Sequence, residues 1–150
     1  MKVNIFCIGD IVGRPGRHIL SQQLSDIVAE YEVDCVIANA ENAAGGSGLT
    51  PQIYDKLMKY GVNLITLGDH VYRKRDIIST LETSDNIVRP ANLSDNAAGG
   101  EYAIYQTSKG PTIAIVTLIG RIFMKPADCP YAKIDSLISK LKSQADIIFV

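Results

Sequence analysis

Five residues that could do chemistry stand just beyond three apolar runs. Asp10 follows Val3-Asn4-Ile5-Phe6-Cys7-Ile8, Glu41 and Asn42 follow Asp34-Cys35-Val36-Ile37-Ala38, and Asp69 and His70 follow Val62-Asn63-Leu64-Ile65-Thr66-Leu67. Asp10 and Glu41 are 31 residues apart, Glu41 and Asp69 28, and one βα unit takes roughly 30 residues. The groups therefore fall at one topological position on three successive strands and can converge in space. Oxygen donors from Asp, Glu and Asn with an imidazole nearby suit hard or borderline divalent cations such as Mn, Fe(II), Zn or Mg. A carboxylate that bridges two cations offsets their repulsion, and two metals about 3.5–4 Å apart can hold the attacking and leaving oxygens of a phosphoester. Each residue also has a plain reading: Asp10 could cap the next helix, Glu41 and Asn42 could be loop residues, and His70 a surface histidine. The joint placement favours the cluster.

The elements that must position these groups alternate. Between the apolar runs, Ile19, Leu20, Leu24, Ile27, Val28 and Tyr31 read as one helical face, and Ile53, Leu57 and Tyr60 as another. The second helix has legible ends: Thr50 as N-cap, Pro51 at the first helical position and Gly61 as C-terminal cap. Strand and helix in alternation predict βαβ units around a largely parallel sheet covered on both sides, an α/β fold. Tyr102 to Thr107 and Thr112 to Leu118, flanking Ser108-Lys109-Gly110-Pro111, predict a β-hairpin. Ile134, Leu137, Ile138 and Leu141 mark a further helix, and Ala145 to Val150 a further buried strand.

Composition narrows the function. The 150 residues are 47% apolar, enough to fill the core of one domain, and the absence of linker composition or repeats gives no second domain. Fifteen Lys and Arg against 16 Asp and Glu leave no broad basic field, which argues against non-specific nucleic-acid binding. No apolar stretch reaches the roughly 18 residues of a spanning helix, and Asp10 interrupts the first run before a signal-peptide core could form. A cytoplasmic chain without a membrane segment is expected. Cys7, Cys35 and Cys129 fit neither a disulfide framework nor a thiolate zinc site. Cys7 and Cys35, inside apolar runs, are expected to be buried. Arg73-Lys74-Arg75 reads as a solvated face, and Asn92-Leu93-Ser94 as a sequon without meaning in such a chain.

Glycine-rich segments offer an anion site. Gly9 to Gly16 opens a helix but lacks the spacing of a P-loop or a dinucleotide fingerprint. Gly45, Gly46 and Gly48 precede the helix at Pro51, where their N–H groups could form a nest for substrate phosphate beside Glu41 and Asn42; a surface loop is the alternative. Arg14 and Arg17 lie on the Asp10 side of the sheet and could also hold phosphate.

Five motifs in order then suggest a family. Gly9-Asp-Ile-Val-Gly-Arg-Pro-Gly-Arg17, Asn39-Ala-Glu-Asn-Ala-Ala-Gly-Gly-Ser-Gly-Leu49, Thr66-Leu-Gly-Asp-His70, Val88-Arg-Pro-Ala-Asn92 and Leu118-Ile-Gly-Arg121 resemble the bacterial YmdB-like family of calcineurin-type metallophosphoesterases. The resemblance runs over the whole chain. It implies an α/β sandwich with two metal ions, commonly iron or manganese, with zinc or magnesium as alternatives. It also implies hydrolysis of phosphodiesters, with 2′,3′-cyclic nucleotides as a substrate class, and homo-oligomers. By position, Asp10 resembles a ligand of one metal, Glu41 the acid shared by both, and Asn42 the amide that contacts metal or phosphate. Asp69 falls where the family has an asparagine ligand, and His70 where it has the histidine that protonates the leaving oxygen. Asp69 adds negative charge, which should strengthen metal attraction and lower Lewis acidity. The family also continues into histidine-bearing segments, Asp-x-His-Ala-Glu and Thr-His-x-His, whereas this sequence has only His18 and His70. The expectation is a single domain that forms the N-terminal portion of a longer enzyme. The alternatives are a non-catalytic oligomerising or regulatory remnant, and a metal-free nucleotide-binding domain that uses the glycine nest.

Overall fold

The apolar runs become parallel strands, and helices separate them. A computed structural model describes residues 2–150. The order is β1 (Ile5–Ile8), α1 (Gly13–Glu30), β2 (Cys35–Asn39), α2 (Pro51–Tyr60), β3 (Leu64–Thr66), α3 (Ile77–Thr83) and β4 (Ile87–Val88), followed by β5 (Tyr102–Gln106), β6 (Thr112–Val116), α4 (Pro130–Leu141) and β7 (Ile147–Phe149). Strands β1 to β4 form one parallel sheet in chain order, and β5, β6 and β7 form a second. The hairpin β5–β6 is antiparallel, as its sequence predicts, while β7 joins β6 in parallel.

Strand alternation divides the core. Phe6, Ile8, Val36, Ala38 and Ile65 point to the helices and pack with Leu20, Leu24, Val28, Ile53, Leu57, Ile77 and Leu81. On the opposite face Ile5, Cys35, Ile37, Leu64 and Val88 meet Ala103, Ile113 and Ile115 of the second sheet. Helix α4 covers the outer face of that sheet, with Leu137 and Leu141 against Ala114 and Val116. The result is a layered α/β sandwich of helices, sheet, sheet and helix. No helix is long and apolar enough to cross a membrane.

Helix α2 begins and ends as its sequence dictates. Thr50 Oγ1 accepts the N–H of Ile53, and Gly61 caps the C-terminus at φ 106°, a conformation that costs glycine little. Helix α1 corrects the expected apolar face: Leu20, Leu24 and Val28 face the core, but Ile19 and Tyr31 are exposed. Ile19 lies about 140° around the helix from Leu24, and Tyr31 is already the C-cap residue. Two further expectations are corrected at sheet edges. Cys7 is exposed because β1 is an edge strand and the second sheet covers Ile5 but not Cys7. Strand β7 is only half-buried, with Phe149 exposed, because it too has a partner on one side only. The Arg73-Lys74-Arg75 run is solvent-exposed, as expected.

The three thiols differ in a way alkylation can read. Burial, reinforced by Cys7 and Asp34, pushes Cys35 up to about 12, and partial desolvation by neighbouring groups raises Cys7 although the residue is exposed. Cys129 at the start of α4 is lowered by the backbone N–H groups of Ala132 and then Tyr131. A lowered thiol pKa means more thiolate at a given pH below the ordinary thiol range. Iodoacetamide at neutral pH should therefore modify Cys129 first, Cys7 more slowly and Cys35 only on unfolding. Peptide mapping checks the order, and labelling of Cys35 ahead of Cys129 would contradict it.

Candidate functional site

Parallel register brings the three loops to one edge. Ile8 is level with Ala38, and Asn39 with Thr66, so the chain leaves β1, β2 and β3 on the same side of the sheet. Backbone bonds clip the loops together: Ile11 N–H donates to Asn39 O at 3.1 Å, Gly13 N–H to Asn42 O at 3.0 Å and Ala40 N–H to Thr66 O at 3.1 Å. The arrangement is therefore held by main chain and does not depend on the charged side chains.

Glu41, Asp69 and His70 each bring a ligand atom within 4.8 Å of the others. Glu41 Oε2 accepts the backbone N–H of His70 at 3.2 Å. Glu41 and His70 are half-buried, while Asp69 is exposed. Buried Gly68 lies against the Glu41 carboxylate, and a Cβ there would overlap both Glu41 oxygens and its carboxyl carbon. The absence of a side chain at residue 68 is thus what lets Glu41 reach the third strand end.

Asp10 enters through Asn42. Asn42 Nδ2 donates to Asp10 Oδ1 at 2.8 Å, and Asn42 Oδ1 meets His70 Nδ1 at 2.6 Å. An ionised carboxylate can only accept, so the Asn42 amino group must face Asp10. Its carbonyl oxygen then faces the imidazole, which requires hydrogen on Nδ1. The chain Asp10, Asn42, His70 thereby fixes the tautomer and leaves Nε2 as the free ring nitrogen, 3.7 Å from Asp69 Oδ2. All five residues singled out from spacing are linked in this way. The particular order of the links, with Asn42 as the bridge, was not legible in the sequence.

The donor set fits a divalent cation. Three carboxylates, an amide oxygen and one imidazole gather at one sheet edge, and among the described residues the only ion pair that involves any of them is Asp69 with His70. Negative charge without lysine or arginine to offset it suits hard or borderline metals, and the oxygen-rich composition disfavours soft ones.

The glycine loop behaves differently from the expected nest. Gly45, Gly46 and Gly48 all take positive φ, but Gly46 N–H donates to Asn42 O and Gly48 N–H to Glu41 O. Two of the amides that would cradle an anion are spent on shaping the Glu41–Asn42 loop. Arg14 also lies apart from the cluster, in a groove between α1 and α2 lined by none of the five residues. Arg17 supports the loop by donating from Nη1 to the carbonyl of Ala43.

Two polar side chains serve the architecture, and only their place in a recognisable motif marked them. Arg89 is fully buried and bonds to the carbonyls of Pro90, Ala97 and Gly99 and to Glu101. Asn92 is buried as well, which disposes of its sequon: Oδ1 accepts Ile119 N–H at 2.9 Å, and Nδ2 donates to the carbonyls of Ile119 and Asp128.

Known proteins resemble the chain over nearly its whole length. The chain is 36% identical over 148 residues to a 2′,3′-cyclic-nucleotide 2′-phosphodiesterase of Bacillus subtilis, with 99% of this chain and 56% of that protein covered. It is 30% identical to a putative phosphatase/phosphodiesterase of Mycoplasma pneumoniae, over 99% of this chain and 54% of the relative. A solved structure of a hypothetical protein from Thermus thermophilus superposes with TM-score 0.87 at 35% identity, covering 96% of this chain and 55% of that one. A phosphatase structure from Mycoplasma pneumoniae matches with TM-score 0.87 at 32% identity, over 99% and 54%. The chain spans about half the length of these relatives. With a match to the model of YmdB-like proteins over residues 6–150, the chain belongs to that family.

Proposed function

We propose that this chain carries part of a metal-dependent phosphodiesterase site that acts on small phosphodiesters, with 2′,3′-cyclic nucleotides as the leading class. The observation that carries the reading is the convergence of Glu41, Asp69 and His70 within 4.8 Å at one sheet edge. The phosphodiesterase relative supplies the substrate class. Asp10, Glu41, Asn42 and Asp69 would hold two divalent ions, iron or manganese by family resemblance. Bound there, the ions would supply an activated water and a positive clamp on the phosphoester oxygens.

The protein's own residues account for the rest. Asn42 holds the His70 ring with Nδ1 protonated, so Nε2 is the nitrogen that exchanges a proton with the departing oxygen. To donate from Nε2 the ring must carry both protons, and Asp69 Oδ2 lies 3.7 Å from that nitrogen. Glu41 fixes the His70 backbone through its N–H, so the donor and the metal-binding acid are placed by one contact. Cleavage of a cyclic diester leaves a monoester and a free hydroxyl, and the proton from His70 ends on that hydroxyl.

Two measurements test the reading. The protein, purified with iron and manganese supplied, should contain bound metal by elemental mass spectrometry, and chelator should abolish hydrolysis of 2′,3′-cyclic AMP. Metal-free protein would overturn the proposal in favour of a scaffold, or of a metal-free nucleotide-binding domain if nucleotide binding survives chelator, and hydrolysis that survives chelator would overturn the metal dependence itself. In the active form, His70→Ala should lower kcat about 10²–10⁴-fold, the range of general acid catalysis, with metal content nearly unchanged. Equal loss of metal and turnover would make His70 a ligand and not the proton donor.

A further inference from the structure

Helices α1 and α2 form an open polar groove of about 200 Å³ between them, lined by Arg14, Arg17, His18, Ser21, Lys56 and Tyr60. Residues 14, 17, 18 and 21 fall on one face of α1 by helical spacing, and Lys56 and Tyr60 are one turn apart on α2. The lining holds two guanidinium groups, an ammonium, an imidazole and two hydroxyls, with no carboxylate among them. Among the described residues none of these basic groups takes part in an ion pair. Arg17 is oriented from behind by its bond to the Ala43 carbonyl. The start of α1 has no acidic residue in its first turn and no side-chain cap from Val12, although Gly13 N–H is taken by the Asn42 carbonyl.

Like charges that converge without a counter-ion raise the electrostatic energy of the protein, and an anion in the groove would relieve it. Guanidinium and ammonium donors, with the Tyr60 hydroxyl, match a phosphate group, which offers several acceptor oxygens and a double negative charge, while the Ser21 hydroxyl donates to the His18 carbonyl. We propose that this groove is a phosphate-binding subsite, distinct from the Glu41–Asp69–His70 cluster, that takes the phosphate of a nucleoside monophosphate or inorganic phosphate. The inference does not rest on the metal reading, because no residue of the cluster lines the groove.

The test uses protein stripped of metal on a chelating resin, so that binding at the cluster does not contribute. Titration with potassium phosphate, and separately with adenosine 5′-monophosphate, at constant ionic strength is followed by ¹⁵N–¹H correlation spectra. Saturable shifts are expected at the residues lining the groove, with Kd on the order of 1 mM or tighter. The double variant Arg14→Gln, Lys56→Gln alters two exposed side chains. It should retain the dispersed spectrum of the folded protein and weaken binding about tenfold or more. Tighter binding of the nucleotide than of phosphate would assign the subsite to a nucleotide ligand, and equal binding would assign it to free phosphate. Shifts that never saturate, or a double variant that binds as well as the parent, would overturn the proposal.

Discussion

Glu41→Gln is expected to empty the metal centre while leaving the fold intact. Glutamine keeps the volume of the side chain and an oxygen that can accept the His70 N–H, but it removes the negative charge that a cation needs. Loss of a partner that merely orients a ligand costs about 10–100-fold in metal affinity, and loss of Glu41 in its proposed role as a ligand should cost more. Metal per chain after dialysis should fall to background, and phosphodiester hydrolysis with it. Gly68→Ala should lower metal content less than Glu41→Gln, since the new methyl group would displace the carboxylate at the end of a flexible side chain. The metal-free Glu41→Gln protein should be no less stable than the metal-free parent, because one of two neighbouring acids has been neutralised. Unchanged metal content in both variants, read by elemental analysis, would remove Glu41 from the centre.

Arg89→Met is expected to produce the largest loss of stability. Arg89 is 2% exposed. Its Nε donates to the carbonyls of Ala97 and Gly99 at 3.2 and 3.1 Å, its Nη1 to Pro90 O at 2.9 Å, and its Nη2 approaches Glu101 at 3.5 Å. These bonds tie the loop between β4 and β5 to the end of β4, where Val88 and Pro90 bridge toward the second sheet. Methionine has similar length but no donors, so several acceptors lose their partner at once. Breaking a buried pair of this kind costs roughly 3–5 kcal/mol, which for a domain of this size corresponds to a fall in Tm of roughly 10 °C. Arg89→Lys should recover part of it, since lysine keeps the charge but not the planar fork.

Lys133, which shares Glu101 with Arg89, sets the pH window. Glu101 also accepts Lys133 Nζ at 2.6 Å, and that bond, with a second that Lys133 donates to Asp95, raises the Lys133 pKa. A raised lysine stabilises the fold while it is protonated and loses that contribution only as pH climbs through its folded value. The penalty for Arg89→Met should therefore be constant between about pH 6 and 8. Thermal melts of parent and variant check both claims, and a shift of Tm below about 3 °C would show that the loop does not depend on Arg89.

Much of the fold is written locally. Thr50, Pro51 and Gly61 set the limits of α2 through chemistry that involves only neighbours in the chain, and the apolar runs announce β1, β2 and β3. Spacing places Asp10, Glu41 and Asp69 at equivalent strand ends because a parallel sheet repeats its connections at nearly constant length. Other elements left too little pattern: α3 spans seven residues and β4 two, shorter than the window over which periodicity can be read. Tertiary contacts decided what no local pattern encodes. They join the hairpin and β7 into a sheet of their own, leave Cys7 and Ile19 in solvent despite apolar surroundings, and draw Arg89 and Asn92 inside as ties between loops. In the site, the sequence determined which groups arrive at one edge, through the period of the strands and the length of the βα units. The structure decided that Asn42 bridges Asp10 and His70 and that Gly68 admits Glu41, because contacts between loops distant in sequence depend on which faces meet and how closely the backbones approach.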